Sequence, residues 1–129
     1  MKPIKSKIDK YNVCITCKAF GIQAPIMEYK PFGKDNDCTK EYRKKNNLKD
    51  WRLDYVWIDG GMKFAIEIDG GAWINGRHNR GQGYIDGMIR RNALLEYGWY
   101  VLYYPPNKID YAQIQRIYNE LKIKSMANI

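Results

Sequence analysis

The sequence has no apolar run near the ~18 residues that a membrane-crossing helix needs, and its first residues lack the apolar core of a secretory leader. Both absences predict a protein of the cytoplasm with no membrane partner. Cysteine is scarce and odd in number, at Cys14, Cys17 and Cys38. Cys14-x-x-Cys17 resembles half of a zinc site, but no second Cys pair or Cys-His pair follows it. On a helix, positions three apart share a face, so buried, reduced thiols are the expected reading. A three-cysteine metal site completed by another ligand is the alternative. Acids are also few: 14 against 22 lysines and arginines, a formal net charge of +8. That imbalance favours a polyanionic partner such as nucleic acid. Core formers are not lacking, since aromatics make up 14% of the chain, which excludes a disordered protein. The 129 residues suit one domain spanning 1–129.

Hydrophobic periodicity divides the chain. Residues 6–22 predict a helix: Ser6 and Asp9 form a start resembling a capping box, Ile8, Tyr11, Ile15 and Ala19 recur at helical spacing, and Gly21 is a natural stop. A short strand follows over 26–30, between Pro25 and Pro31. Residues 33–50 lose all apolar periodicity and are rich in Asn, Asp and Lys. This charged insert is expected to be a solvated loop or hairpin tip, or a basic arm of Lys40, Arg43, Lys44, Lys45 and Lys49 laid against phosphates. Strands over 51–58 and 62–69 are joined by Asp59-Gly60-Gly61, a tight-turn sequence. A glycine-rich, basic stretch, 70–83, leads into a helix over 84–97. There Tyr84, Ile85, Met88, Ile89, Leu94 and Leu95 are expected to form a broad apolar face ahead of Gly98. The uncharged run 99–104 predicts a buried strand, ended by Pro105-Pro106. Asp110 should cap a last helix with Tyr111, Ile114, Ile117, Tyr118 and Leu121 on one stripe. The order α-β-β-β-α-β-α implies an α/β fold: a central mixed sheet flanked by helices, with an extra C-terminal helix.

The acids of the central hairpin suggest the chemistry. On a strand, Met62, Phe64, Ile66 and Ile68 share one face, and Lys63, Ala65, Glu67 and Asp69 share the other. Trp51, Leu53, Tyr55 and Trp57 alternate around Asp54, whose own face carries Arg52, Val56 and Ile58. Pairing of the two strands would bring Asp54 alongside Glu67. Adjacent carboxylates on an otherwise buried strand are costly unless something pairs with them. A divalent cation is one such partner, and Mg²⁺ prefers oxygen ligands with positions left for water and phosphate. Such an ion stabilises the charge that develops during phosphodiester hydrolysis and generates hydroxide near neutral pH. The plainer alternative is a set of hydrogen-bonded carboxylates in a structural hairpin.

Asp54, a hairpin turn and then Glu67-Ile68-Asp69, set in an αβββαβ order, resemble the PD-(D/E)XK nuclease superfamily. The strings WRLDYVW, KFAIEIDGGAW, GRHNRGQGY and LLEYGWYVLYYPP are similar to small phage and bacterial endonuclease-like proteins related to very-short-patch-repair nucleases, as is CKAFGIQAPIMEY before them. The likeness covers about residues 14–105 apart from the insert at 33–50. It implies a restriction-endonuclease-like αβββαβ core and a Mg²⁺-dependent DNA endonuclease, with Mn²⁺ as a substitute, encoded by a phage or mobile element and acting in the host cytoplasm. Asp54, Glu67 and Asp69 would be metal ligands, joined by the backbone carbonyl of Ile68. Asp69 stands where the superfamily usually has lysine, so it would orient the attacking water or bind a second ion.

His78, the one histidine, follows the acids and would serve as a general acid or phosphate contact. Arg77 and Arg80 beside it would clamp a phosphate, and the alternative is a solvated loop. Arg90 would reach the scissile phosphate or pair with Asp86 four residues earlier. Glu28 would approach the metal from the sheet edge. Junction, nick, mismatch and ordinary duplex all stay open as substrates, and a symmetric junction would favour a homodimer. The rival readings are a nuclease-fold DNA-binding protein without cleavage and a zinc module built on the cysteines.

Overall fold

The computed structural model describes residues 7–68 and 81–127. The first helix, α1 (Lys7–Ala19), precedes strand β1 (Ile26–Tyr29). A 3-10 turn (Lys34–Asn36) and a short helix α2 (Lys40–Lys45) come before the hairpin β2 (Leu53–Asp59) and β3 (Met62–Ile68). Helix α3 (Gln82–Glu96), strand β4 (Tyr100–Tyr104) and helix α4 (Tyr111–Ala127) follow. The four strands form one mixed sheet in the order β1-β2-β3-β4, antiparallel except for the parallel pair β3–β4. The predicted α/β class, with a mixed sheet flanked by helices and an added C-terminal helix, is therefore what the chain adopts.

The strand alternation sorts the core into two layers. Met62, Phe64, Ile66 and Ile68 join Tyr55 and Trp57 in a layer closed by Val13 and Cys17 of α1 and Ile114 and Tyr118 of α4. Ala65, on the opposite parity, joins Val56, Leu53 and Trp99 in a layer closed by Ala93 and Leu94 of α3, by Phe32 just before the insert and by Leu48 within it. Stacking of Trp57 on Phe64, with centroids 5.1 Å apart, fills the first layer. The hairpin turns at Gly60, whose φ of 61° lies where a side chain is strained. Asp110 caps α4 as expected, its Oδ1 accepting the Gln113 N–H at 3.0 Å, and the buried side of α4 carries Ile114 and Tyr118.

Four expectations need correcting. Tyr11 and Ile15 of α1 are exposed, and Val13 and Cys17 face the core instead. On α3, Tyr84, Ile85, Met88 and Leu95 are exposed, while Gly87, Arg90, Ala93 and Leu94 are buried. In both helices two stripes at helical spacing compete, and the packing partner rather than periodicity selects one. Residues 33–50 are not a bare loop. Thr39 caps α2 by accepting the Tyr42 N–H at 3.0 Å, and Arg43 Nη1 donates to the carbonyls of Phe32 and Cys38 at 3.0 and 2.8 Å. Finally, the strand alternation breaks beside Asp54, because Leu53 packs with Val56 and not with Tyr55 and Trp57. The β1 residue opposite, Glu28, has φ of 57° between two regular pairs, a conformation rare for a residue with a side chain.

The cysteines settle on opposite sides of the sheet. Cys14 and Cys17 belong to the α1 layer and Cys38 to the insert layer, so they do not converge on one ion. Burial, and after it the neighbouring Cys14, pushes the Cys17 thiol up to about 12, which makes it an inert core residue. Among the described residues no helix is long and apolar enough to cross a membrane.

Candidate active site

Extending the β2–β3 register past Tyr55↔Ile66 sets Asp54 opposite Glu67. There the two strands exchange side-chain bonds. The Asp54 N–H donates to Glu67 Oε2 at 2.8 Å, and the Ile68 N–H donates to Asp54 Oδ2 at 2.8 Å. Each carboxylate is thus oriented by a backbone donor of the opposite strand, which is stiffer than any side-chain partner.

Helix α3 supplies the countercharge. Arg90 Nη2 donates to Glu67 Oε1 at 2.7 Å and to the Arg52 carbonyl at 3.1 Å. Gly87 and Ala93, three residues to either side of Arg90, are both buried. The long arginine between them spans from the helix to the sheet, its guanidinium reaching Glu67 and the Arg52 carbonyl. The side chains of Glu67 and Arg90 are 5% and 2% exposed, so this is an ion pair withdrawn from water. Of the two partners expected for Arg90, a phosphate or Asp86, the second gives way to Glu67. Asp86 accepts from Gln82 Nε2 at 2.8 Å and lies 3.9 Å from Lys49. Burial pushes the Glu67 carboxyl above the usual carboxylate range, and the charge of Asp54 adds to this, while Arg90 and the Asp54 N–H pull the other way.

A looser network borders the pair. Arg52 lies 3.7 Å from Asp54 and 3.8 Å from Glu28, and Lys10 of α1 also pairs with Glu28. The hydrogen bond and charge of Lys10 hold the Glu28 carboxyl below its ordinary value. Glu28 therefore meets Asp54 through a guanidinium rather than by sharing a ligand position with it. Arg52 is half exposed, so these outer pairs are screened and contribute about 0–1 kcal/mol each. Its place beside Asp54 was readable from strand parity, because residues two apart on a strand share a face. Nothing in the sequence paired Arg90 with Glu67, a contact between residues 23 apart on different elements.

Of the remaining predicted site residues, Lys44 and Lys45 are exposed in the last turn of α2. Asp69, Arg77, His78 and Arg80 lie outside the described residues. Among the described residues no three His, Cys, Asp or Glu side chains converge as a metal group; Asp54 and Glu67 form a pair. The donor set nonetheless fits a hard divalent cation in kind. An ionised carboxylate has about four lone-pair sites, so accepting one or two N–H bonds is compatible with ligating an ion. Ile68, whose carbonyl is the expected further ligand, ends β3 beside the pair. Comparison of the chain with family models, curated proteins and solved structures finds no match.

Proposed function

We propose that this protein is a metal-dependent DNA endonuclease that hydrolyses phosphodiester bonds with Mg²⁺, or with Mn²⁺ in its place. The observation that carries the reading is the placement of Asp54 and Glu67 side by side where β2 and β3 stop forming a regular ladder. Two acids set into the middle of a sheet, with backbone donors aiming both, are an expensive arrangement for stability alone. The net charge of +8 suits a polyanionic partner.

Each residue has a part in that reading. Asp54 and Glu67 hold the metal, with the Ile68 carbonyl and Asp69 as further ligands. A bound Mg²⁺ supplies Lewis-acid stabilisation of the phosphate and a water of lowered pKa. Arg90 opposes the upward push of burial on the Glu67 pKa and fixes its rotamer, so the carboxylate does not reorganise when DNA arrives. Arg52, half exposed beside Asp54, donates to a phosphate oxygen and steadies the strand for in-line displacement. Lys44 and Lys45 contact the backbone farther along. Arg77, His78 and Arg80 keep the phosphate-clamping and acid roles expected of them.

One observation favours a rival: Arg90 already gives Glu67 a countercharge, as a DNA-binding protein without cleavage would need. Incubation with supercoiled plasmid and with a four-way junction, with Mg²⁺ or Mn²⁺ and with chelator, separates the two. Cleavage that needs the metal supports the endonuclease; salt-sensitive binding with no cut under any condition supports the rival. Binding should weaken steeply with salt, and the double variant Lys44→Gln, Lys45→Gln should lower the slope of log K against log salt by about 2, roughly one per lost phosphate contact. An unchanged slope would remove the insert from the DNA-binding surface.

A further inference from the structure

A cavity of about 370 Å³ lies between the insert and the end of α3, within the range of about 300–1,000 Å³ typical of ligand pockets. Five rings line it: Tyr29, Phe32, Tyr42, Tyr97 and Trp99. Phe32 and Trp99 are buried and make the floor, while Tyr42 on α2 is 41% exposed and stands at the rim. The rings brace one another. Phe32 meets Tyr97 edge-on at 5.0 Å, Tyr29 lies 5.9 Å from Trp99, and the hydroxyls of Tyr42 and Tyr97 are 3.1 Å apart. The Tyr42 hydrogen bond pushes the Tyr97 phenol up to about 12, so it stays protonated.

Two polar groups reach the same space. Lys63, whose Nζ donates to the Tyr97 carbonyl at 3.0 Å, and the exposed Asp37 both line it. A donor and an acceptor over an aromatic floor match the edge and face of a nucleobase. Lys44 and Lys45, two and three residues past Tyr42 on an exposed helix, offer countercharge to the phosphates flanking such a base. Lys63 in the lining, with Lys44 and Lys45 on the adjoining helix, opposes the other familiar occupant of an aromatic cage, an alkylated ammonium.

The cavity is not the acid pair. Lys63 and Glu67 share a face of β3 but stand four residues apart, about 13 Å along the strand. That is roughly four base steps of duplex at ~3.4 Å each.

We propose that this cavity receives an unpaired nucleobase, so that the protein distinguishes DNA with extruded or single-stranded bases from continuous duplex. The proposal rests on the DNA reading and deepens it by naming a substrate class. Tyr42 supplies the stacking face, and the insert exists to carry that residue and its lysines.

Fluorescence anisotropy with a bulged duplex, a fully paired duplex and the same bulge lacking its bases tests this. The wild type should bind the bulged DNA about tenfold tighter than the other two, the scale of one base–aromatic stack. Tyr42→Ala should erase that preference and leave duplex binding within about twofold, whereas Tyr42→Phe should keep it. A 2-aminopurine placed in the bulge should be quenched on binding to the wild type, a readout that depends on no variant. Equal binding of all three DNAs, or an unquenched 2-aminopurine, overturns the proposal while duplex cleavage leaves the nuclease reading intact. Loss of all DNA binding and cleavage in the wild type overturns both. Chemical-shift changes at the Trp99 indole with tetramethylammonium, and none with deoxynucleotides, would assign the cavity to an ammonium ligand instead.

Discussion

Asp54→Asn should abolish metal-dependent cleavage, by at least about 10²–10³-fold, the scale on which a single preorganised electrostatic group acts, while the protein stays folded. The substitution is unusually clean because of how Asp54 is held. Its Oδ2 accepts the Ile68 N–H, and an asparagine oxygen accepts the same bond at the same place. What changes is the charge and the other oxygen, Oδ1, which becomes an amide nitrogen. Arg52, 3.7 Å away and itself half exposed, loses an ion pair of small energetic weight. DNA binding should strengthen slightly, because an anion facing phosphate has been removed. Unchanged cleavage of plasmid and junction by Asp54→Asn would take Asp54 out of the metal site, whatever the fold. Glu67→Gln is the poorer probe. It strips the countercharge from buried Arg90 and so confuses lost chemistry with lost stability.

Replacing Arg90 should give the largest stability effect. Arg90→Met leaves Glu67 buried without its guanidinium, and breaking a buried pair from one side costs about 3–5 kcal/mol. Denaturant unfolding measures that loss, and a value below about 1 kcal/mol would mean that the pair is not closed from water. The double variant Glu67→Leu, Arg90→Met should recover most of it, since an apolar pair of similar volume avoids the desolvation of both ions. It should recover no cleavage.

The pH profile separates charge from packing. Burial raises the folded pKa of Glu67 above its unfolded value. The folded state then holds its proton over a pH range where the unfolded chain has lost it. The associated stability is fully present below the unfolded pKa and is lost as pH rises through the folded one. Arg90 opposes this shift, so Arg90→Met should widen the pH range over which stability falls. Midpoints followed from acid to neutral pH in the metal-free proteins test it. Parallel curves for wild type and variant would place the effect in packing rather than in charge.

Much of this organisation was legible from local chemistry. The two-residue period of Met62–Ile68 predicted which residues join which layer, because successive side chains on a strand have no choice of face. Glycine at 60 and 61 predicted the hairpin, and the hairpin implied that Asp54 meets Glu67. Asp110 and the stripe behind it predicted the last helix, since the cap and the apolar period agree there. The insert was harder. Its folding depends on Arg43 reaching the carbonyls of Phe32 and Cys38 and on Leu48 entering the core, contacts that leave no periodic trace.

Residue order alone therefore determined the class of sheet, its turns and the meeting of two acids, all matters of spacing within a strand or across one tight turn. The tertiary structure decided the rest. A helix with two plausible stripes turns the one its neighbour can accept, so α1 shows the core Val13 and Cys17, and α3 shows it Arg90. From that rotation follows the buried pair that holds Glu67, and packing likewise gathers rings from three separate stretches of the chain around a cavity. Both depend on contacts between distant parts of the chain, and only packing determines them.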